Sequence, residues 1–190
     1  GNTRVEARNI SLDADFESAH GATITALAAL LMRRYMHEYG LELANFEGFS
    51  INAHSNGSLS EYAMFRNRIK PGRFATAPMV AEPVSLFDSA PDADGAAALV
   101  ITRADRAADL VPQPVQISAS AVATDTFALH DRNNLLDLSA ARLSTEKVYA
   151  QANIQPENID LFELHDAFTV ISALSLEAAG FAERGQGWKL

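Results

Sequence analysis

The stretch IDLFELHDAFTVISALSLEAAGF, residues 159–181, changes character once along its length. Ile159–Leu164 is a short apolar run of strand type that follows the turn-forming IQPEN, residues 154–158. Ala167–Ala179 reads as a helix with Gly180 as its stop. A polar pair, His165–Asp166, sits at the seam. A strand running directly into a helix is the unit of an α/β fold, and ligands there bind at the carboxyl ends of strands. The helix start adds free N–H donors and the positive end of the dipole. Asp166 suits the N-cap of the helix. His165 is then the last strand residue. A neutral imidazole there can donate to a developing oxyanion or hold a water that does so. The plainer alternative is a capping Asp166 beside a satisfied core histidine.

Working outward, the second half of the chain alternates strand and helix. Ala96–Thr102 is a near-continuous apolar run, as in a strand buried on both faces. A helix is expected over about 103–110, a strand at the start of 114–123, a loop over 124–138 and a helix over 139–153. Ala141, Thr145, Val148 and Ala152 share one face of that last helix. The first 90 residues are helix and loop, an excursion or lid carried by the α/β part. Their clearest helix is 23–39, with Ile24, Leu27, Ala28, Leu31, Tyr35 and Tyr39 on one face. Thr23 is its expected N-cap and Gly40 its stop. A weaker helix over 41–53, a turn at 54–58 and a short helix at 59–66 come next. A loop rich in proline spans 69–85.

Composition narrows the function classes. Of the 190 residues 48% are hydrophobic and 21% charged, which suits a soluble globular protein. A net charge of −9 argues against a nucleic-acid partner. There is no cysteine, so this chain contains no disulfide, thiolate metal site or cysteine nucleophile. The histidines, at 20, 37, 54, 130 and 165, show no metal-binding spacing, and no metal is expected. The longest apolar run, 24–32, is far short of a membrane span. No signal peptide is evident, and a cytoplasmic protein is expected.

IDLFELHDAFTVISALSLEAAGFAERGQG resembles the thiolase segment that usually reads N-E-A-F, in the H-D-x-F form of sterol carrier protein x type members. DSAPDADGAAALVITRADRA, from Asp88, is similar to the thiolase strand that opens with N/S-D-G-A-A-A. HGATITALAALLMRRYMHEYG, from His20, and residues 52–91 resemble the loop domain that covers coenzyme A. The resemblance spans nearly the whole chain, in order. It implies part of a thiolase-like α-β-α-β-α layered fold. Residues 1–87 would be the loop domain, 88–112 the last strand and helix of the first half, and 113–190 the start of the second half.

The resemblance also implies an acyltransferase that makes or cleaves 3-ketoacyl-CoA of the acetoacetyl type. Coenzyme A thioester would be its substrate, with no covalently bound cofactor. The region of the nucleophilic cysteine and that of the catalytic histidine are not in this stretch. The chain is therefore expected to be a central fragment, inactive by itself, with exposed sheet edges. His165 matches the oxyanion-site Asn of the usual thiolase. Phe168 would pack beneath the site, and Asp166 would cap. Ser89 falls near a serine that touches the pantetheine arm. His20 and His54 fall near the acyl pocket. Arg66, Arg68, Lys70 and Arg73 form a basic cluster suited to the phosphates of coenzyme A. A homodimer or larger assembly is expected, with a small acyl-CoA-binding protein as a further candidate partner. Two other readings stand beside this one: a retro-aldolase acting on a side-chain acyl-CoA, and a non-catalytic module holding acyl-CoA or lipid.

Overall fold

The computed structural model describes residues 7–190. Helix α1, Ile24–Tyr39, begins where Thr23 Oγ1 accepts the Ala26 N–H at 3.1 Å and ends at Gly40, whose φ is 65°. Both boundaries are those the sequence predicts. Ala28, Ala29, Leu31, Met32 and Tyr35 are buried, while Arg33, Arg34, His37 and Glu38 face solvent. The Tyr35 hydroxyl donates to Glu177 Oε1, and burial pushes this phenol far above its ordinary range. Gly187 N–H donates to the same oxygen at 3.0 Å, which ties the C-terminal segment to α1.

A 3₁₀ turn, Leu43–Phe46, leads into α2, Glu47–Gly57. This helix continues through residues 54–57, where the sequence suggested a turn. The short helix expected at 59–66 does not form. Leu59 and Ser60 N–H groups close turns on Asn56 and Gly57, and Leu59, Tyr62, Met64 and Phe65 remain exposed. So short a helix holds only when a face of it packs, and this one has no such face. The proline-rich loop folds into a 3₁₀ turn, Phe74–Thr76, and a small antiparallel hairpin of β1, Met79–Ala81, and β2, Val84–Ser85.

Helices α3, Ala104–Leu110, and α4, Ser139–Ala152, match expectation, and Asn153 closes α4 with φ 53°. Ala141, Thr145, Val148 and Ala152 form its half-buried face. Helix α5, Thr169–Ala178, is central: α1, α2, α4 and the 3₁₀ turn Gly187–Lys189 all pack on it. It buries Val170, Ala173 and Leu174 in one cluster with Met32, Tyr35, Phe46, Phe74, Val84 and Phe168. Each fully buried Val, Leu or Phe side chain contributes roughly 1.5–3 kcal/mol. Gly187 has to be glycine, because an added Cβ would lie 2.2 Å from the Ala173 carbonyl oxygen.

The three predicted strands are corrected. Residues 96–102, 114–123 and 159–164 have no regular secondary structure and form no ladder among the described residues. They are not buried either: Leu99, Val100, Val115, Val122 and Leu161 are all largely exposed. A strand of a parallel sheet is covered only when neighbours flank it and helices close both faces. No described segment supplies those neighbours. The helical side of an α/β layer is formed, and the sheet side presents chain without ladder partners among the described residues and with exposed apolar side chains.

Candidate functional site

The seam at His165–Asp166 differs from its expected form both in the missing strand and in the cap. The N-cap of α5 is Phe168, whose side chain cannot cap, and Asp166 lies two residues further out. The Asp166 carboxylate instead accepts from the Ser172 hydroxyl one turn into the helix. Burial of this carboxyl holds it above the ordinary aspartate value, against the downward pull of Ser172 and of the neighbouring His165. His165 is exposed and makes no side-chain hydrogen bond among the described residues. Phe168 is buried in the core directly below. The structure thus presents a free imidazole beside a carboxyl, anchored on a rigid helix start.

The cap that Asp166 does not supply comes from Asp88. Its Oδ1 accepts from Thr169 Oγ1 at 2.5 Å, and its carbonyl accepts the Thr169 N–H at 3.0 Å. Its Oδ2 accepts from Ser85 N–H at 2.8 Å and Ser85 Oγ at 2.7 Å. Asp88 is 3% exposed, and burial raises its carboxyl above the ordinary value although the Thr169 and Ser85 donors pull it down. Next to it, Ser89 pairs with Phe168 in an antiparallel bridge, and Ala90 N–H donates to the Ala167 carbonyl at 3.0 Å. Ser89 therefore lies against the seam, with its own hydroxyl 3.4 Å from the Ala90 carbonyl oxygen.

A groove of about 640 Å³ is lined in part by the same segment, through Phe87. His54, Phe65 and Phe87 line its aromatic wall, and Arg68, Lys70 and Arg73 supply positive charge without a lining carboxylate. His54 projects from α2 rather than from a loop. Its Nδ1 lies 2.9 Å from the Asn67 carbonyl oxygen, and its ring stacks near-parallel on Phe65. Arg68 Nε donates to Ser58 Oγ at 3.1 Å. None of these three cations is in an ion pair among the described residues. Phe87 connects the groove to the seam: it lines the groove, its carbonyl accepts from Ser50 at 2.6 Å, and Asp88 and Ser89 follow it.

Of the residues singled out from sequence, the structure brings His54 and Arg73 into the groove, and Ser89, His165, Asp166 and Phe168 to the seam. Arg66 is exposed but does not line the groove. His20 ends the 3₁₀ turn Ser18–His20, exposed, and lines neither feature. Asp88 was missed. The sequence signal for it is slight: one carboxylate closing the apolar run VSLF, with nothing to indicate a partner 81 residues away. Among the described residues no group of His, Asp and Glu is arranged to hold a metal ion, and no helix is long and apolar enough to cross a membrane.

Residues 121–190 match the family model described as thiolase C-terminal domain-like. An acetyl-CoA acetyltransferase from Methanocaldococcus jannaschii is 37% identical over 180 residues, which cover 94% of this chain and 46% of that protein. A 17-hydroxy-3-oxo-4-pregnene-20-carboxyl-CoA lyase from Mycobacterium tuberculosis is 31% identical over 95% of this chain and 48% of its own length. Among solved structures, an Ltp2-ChsH2(DUF35) aldolase superposes with a TM-score of 0.86 at 27% identity, covering 92% of this chain and 47% of that one. The chain spans about half the length of the curated relatives it matches.

Proposed function

The chain belongs to the thiolase superfamily, and from that premise we propose that the complete protein is a coenzyme A-dependent acyltransferase that forms or cleaves 3-ketoacyl-CoA of the acetoacetyl type. The observation that carries this reading is that one segment leads from one feature to the other: Phe87 lines the groove, and Ser89, two residues on, pairs with Phe168 at the seam. A coenzyme A thioester laid along that path has its phosphates at Arg68, Lys70 and Arg73. Its pantetheine arm passes Ser89, and its thioester end lies at His165. The imidazole holds the thioester oxygen, directly or through a water, as negative charge builds there. The nucleophilic thiol is not among these 190 residues. Covalent acyl transfer therefore needs a residue from outside this chain. Multi-subunit assembly, as a dimer or with a small acyl-CoA-binding protein, and a cytoplasmic setting complete the reading. The similar Ltp2-ChsH2(DUF35) aldolase is named for two components, which supports the assembly.

A second reading has its own support. Both the lyase relative and the aldolase structure favour retro-aldol cleavage of a side-chain acyl-CoA, a reaction that needs no thiol nucleophile. One set of assays separates the two. The complete enzyme is given acetoacetyl-CoA with coenzyme A, then a 3-hydroxy side-chain acyl-CoA, each before and after alkylation of its thiols. Thiolysis lost on alkylation is the expected result. Cleavage of the hydroxy substrate alone, insensitive to alkylation, replaces the first reading with the second. In either reaction His165→Ala is expected to lower kcat by about 10²–10³-fold with little change in coenzyme A affinity. Unchanged kcat with a lowered Tm makes His165 a structural residue.

A further inference from the structure

Helix α5 carries the proposed oxyanion residue at its entrance but has no cap of its own. Phe168 occupies the cap position with a side chain that offers no acceptor, and Asp166 is engaged by Ser172. A helix start leaves N–H groups unsatisfied, and one that is buried has no water to satisfy them. Asp88 meets this need from a different part of the chain. Its carboxylate takes the Thr169 hydroxyl, and its carbonyl takes the Thr169 N–H. Both groups belong to the first residue of the helix. The carboxylate is itself held from the opposite side by the Ser85 hydroxyl and N–H. Residues 85–90 then continue as a strap: Ser89 pairs with Phe168, and Ala90 N–H reaches the Ala167 carbonyl. Positions 167, 168 and 169 are thereby fixed one after another by 90, 89 and 88. The backbone that leaves this strap is the backbone of His165 and Asp166.

We propose that Asp88 is a positioning residue for His165: it caps α5 from outside and sets the direction in which the His165–Asp166 pair enters the site. The inference rests on the reading of His165 as the group that meets the thioester oxygen. Asp88 does not touch the substrate. It acts through Thr169, Phe168 and the strap. The same segment begins at Phe87 in the groove wall, so the strap also sets the seam relative to the groove. Displacing a reacting group by about 1 Å can cost on the order of 10²-fold in rate without loss of binding.

The test compares Asp88→Ala, Asp88→Asn and His165→Ala in the complete enzyme, well below the melting point of each. Kinetics are read as separate kcat and KM, and the His165 imidazole is followed by NMR. Asp88→Ala is expected to lower kcat on the order of 10²-fold with KM within about threefold, and to shift the His165 signal. Asp88→Asn keeps an acceptor for Thr169 and is expected to recover much of kcat. The Asp88→Ala, His165→Ala double variant should be no slower than His165→Ala alone, because Asp88 works through that imidazole. If His165→Ala is impaired while Asp88→Ala only lowers Tm, the positioning role is wrong and the site reading stands. If His165→Ala has full kcat, the site reading has failed. The His165 signal then judges the strap alone: a shift in Asp88→Ala upholds it, and an unmoved signal overturns it. If Asp88→Ala does not fold, Thr169→Val and Asp88→Asn carry the same comparison.

Discussion

Removing two of the groove's cations tests the proposed phosphate site directly. Lys70 and Arg73 are exposed, line the groove and have no ion-pair partner among the described residues. Substituting both with serine therefore leaves no carboxylate stranded and should change folding stability by less than about 0.5 kcal/mol. A phosphate about 4 Å from one such cation gains roughly 1 kcal/mol at the dielectric of water and about 4 kcal/mol at that of a sheltered surface. The groove is open, so the lower part of that range applies. Taking about 1.4 kcal/mol for each cation gives tenfold per residue and roughly 10²-fold for the pair. Calorimetry of Lys70→Ser, Arg73→Ser and the double variant with coenzyme A measures this. Pantetheine, which has no phosphate, serves as the control ligand. Coenzyme A should lose affinity stepwise while pantetheine does not. The unmodified chain should bind coenzyme A more weakly as salt is raised from 0.01 to 0.15 M, since the Debye length falls from about 30 to about 8 Å. The double variant should show a flatter response. Unchanged coenzyme A affinity in the double variant would falsify the assignment. An equal loss for pantetheine would show instead that the groove had lost its shape.

Three other outcomes are expected. Asp88 is raised in the folded chain, so its contribution to stability is fully present below the ordinary aspartate value of 3.8 and is lost as pH rises through its folded value. Urea melts across that window should show the wild type losing stability relative to Asp88→Asn as pH rises. A wild type that gains stability relative to Asp88→Asn reverses the sign of the argument. Gly187→Ala should destabilise by about 3 kcal/mol, since a methyl group has no space against the Ala173 carbonyl. Its Tm should fall by roughly 6–12 °C, and an unchanged melt would mean that the C-terminal turn does not sit on α5. The 190-residue chain, which has no cysteine, should show no thiolysis of acetoacetyl-CoA above a blank. Turnover by the pure chain would require a nucleophile other than a thiol.

The helices were legible because their determinants are local. Thr23 and Gly40 lie at the ends they control, and the burial of α1 follows its 3.6-residue period. The short apolar runs do not form the buried strands that their composition suggests. Burial of a strand depends on what pairs with it, and a run such as Ala96–Thr102 contains no information about whether a neighbour is present. The groove was half legible. Arg68, Lys70 and Arg73 stood out as charge in an acidic chain, but the aromatic wall of His54, Phe65 and Phe87 joins residues from α2, the following coil and the segment after β2. His54–Ser58 was read as a turn because Asn, Gly and Ser favour turns, whereas the helix that starts at Glu47 carries through them to Gly57.

The misassigned cap shows where reading by spacing stops. Asp166 has the right residue type at almost the right place, and a capping rule confined to neighbours in sequence selects it. In the fold, the apolar Phe168 is needed at the cap position because its ring fills the core below α5. The helix start is then sealed under the strap, where acceptors for the Thr169 N–H and hydroxyl have to arrive from outside. Asp88 can do so because β2 delivers Ser85 to hold its far oxygen, so that the buried charge is met from both sides. Asp166 is released from capping and stays beside His165, with Ser172 as its only side-chain hydrogen-bond partner among the described residues. The exchange leaves one carboxyl for structure and one for the seam. The Asp166 carboxyl sits beside the imidazole, and the pull of His165 on it opposes the upward effect of its burial. Asp166→Asn in the complete enzyme should therefore remove the part of the pH dependence of kcat that the raised Asp166 carboxyl imposes, while Asp166→Ala should cost little stability, contrary to its assignment as a cap. A stability loss of about 1 kcal/mol in Asp166→Ala with an unaltered pH profile would return Asp166 to the helix end and leave His165 without its partner.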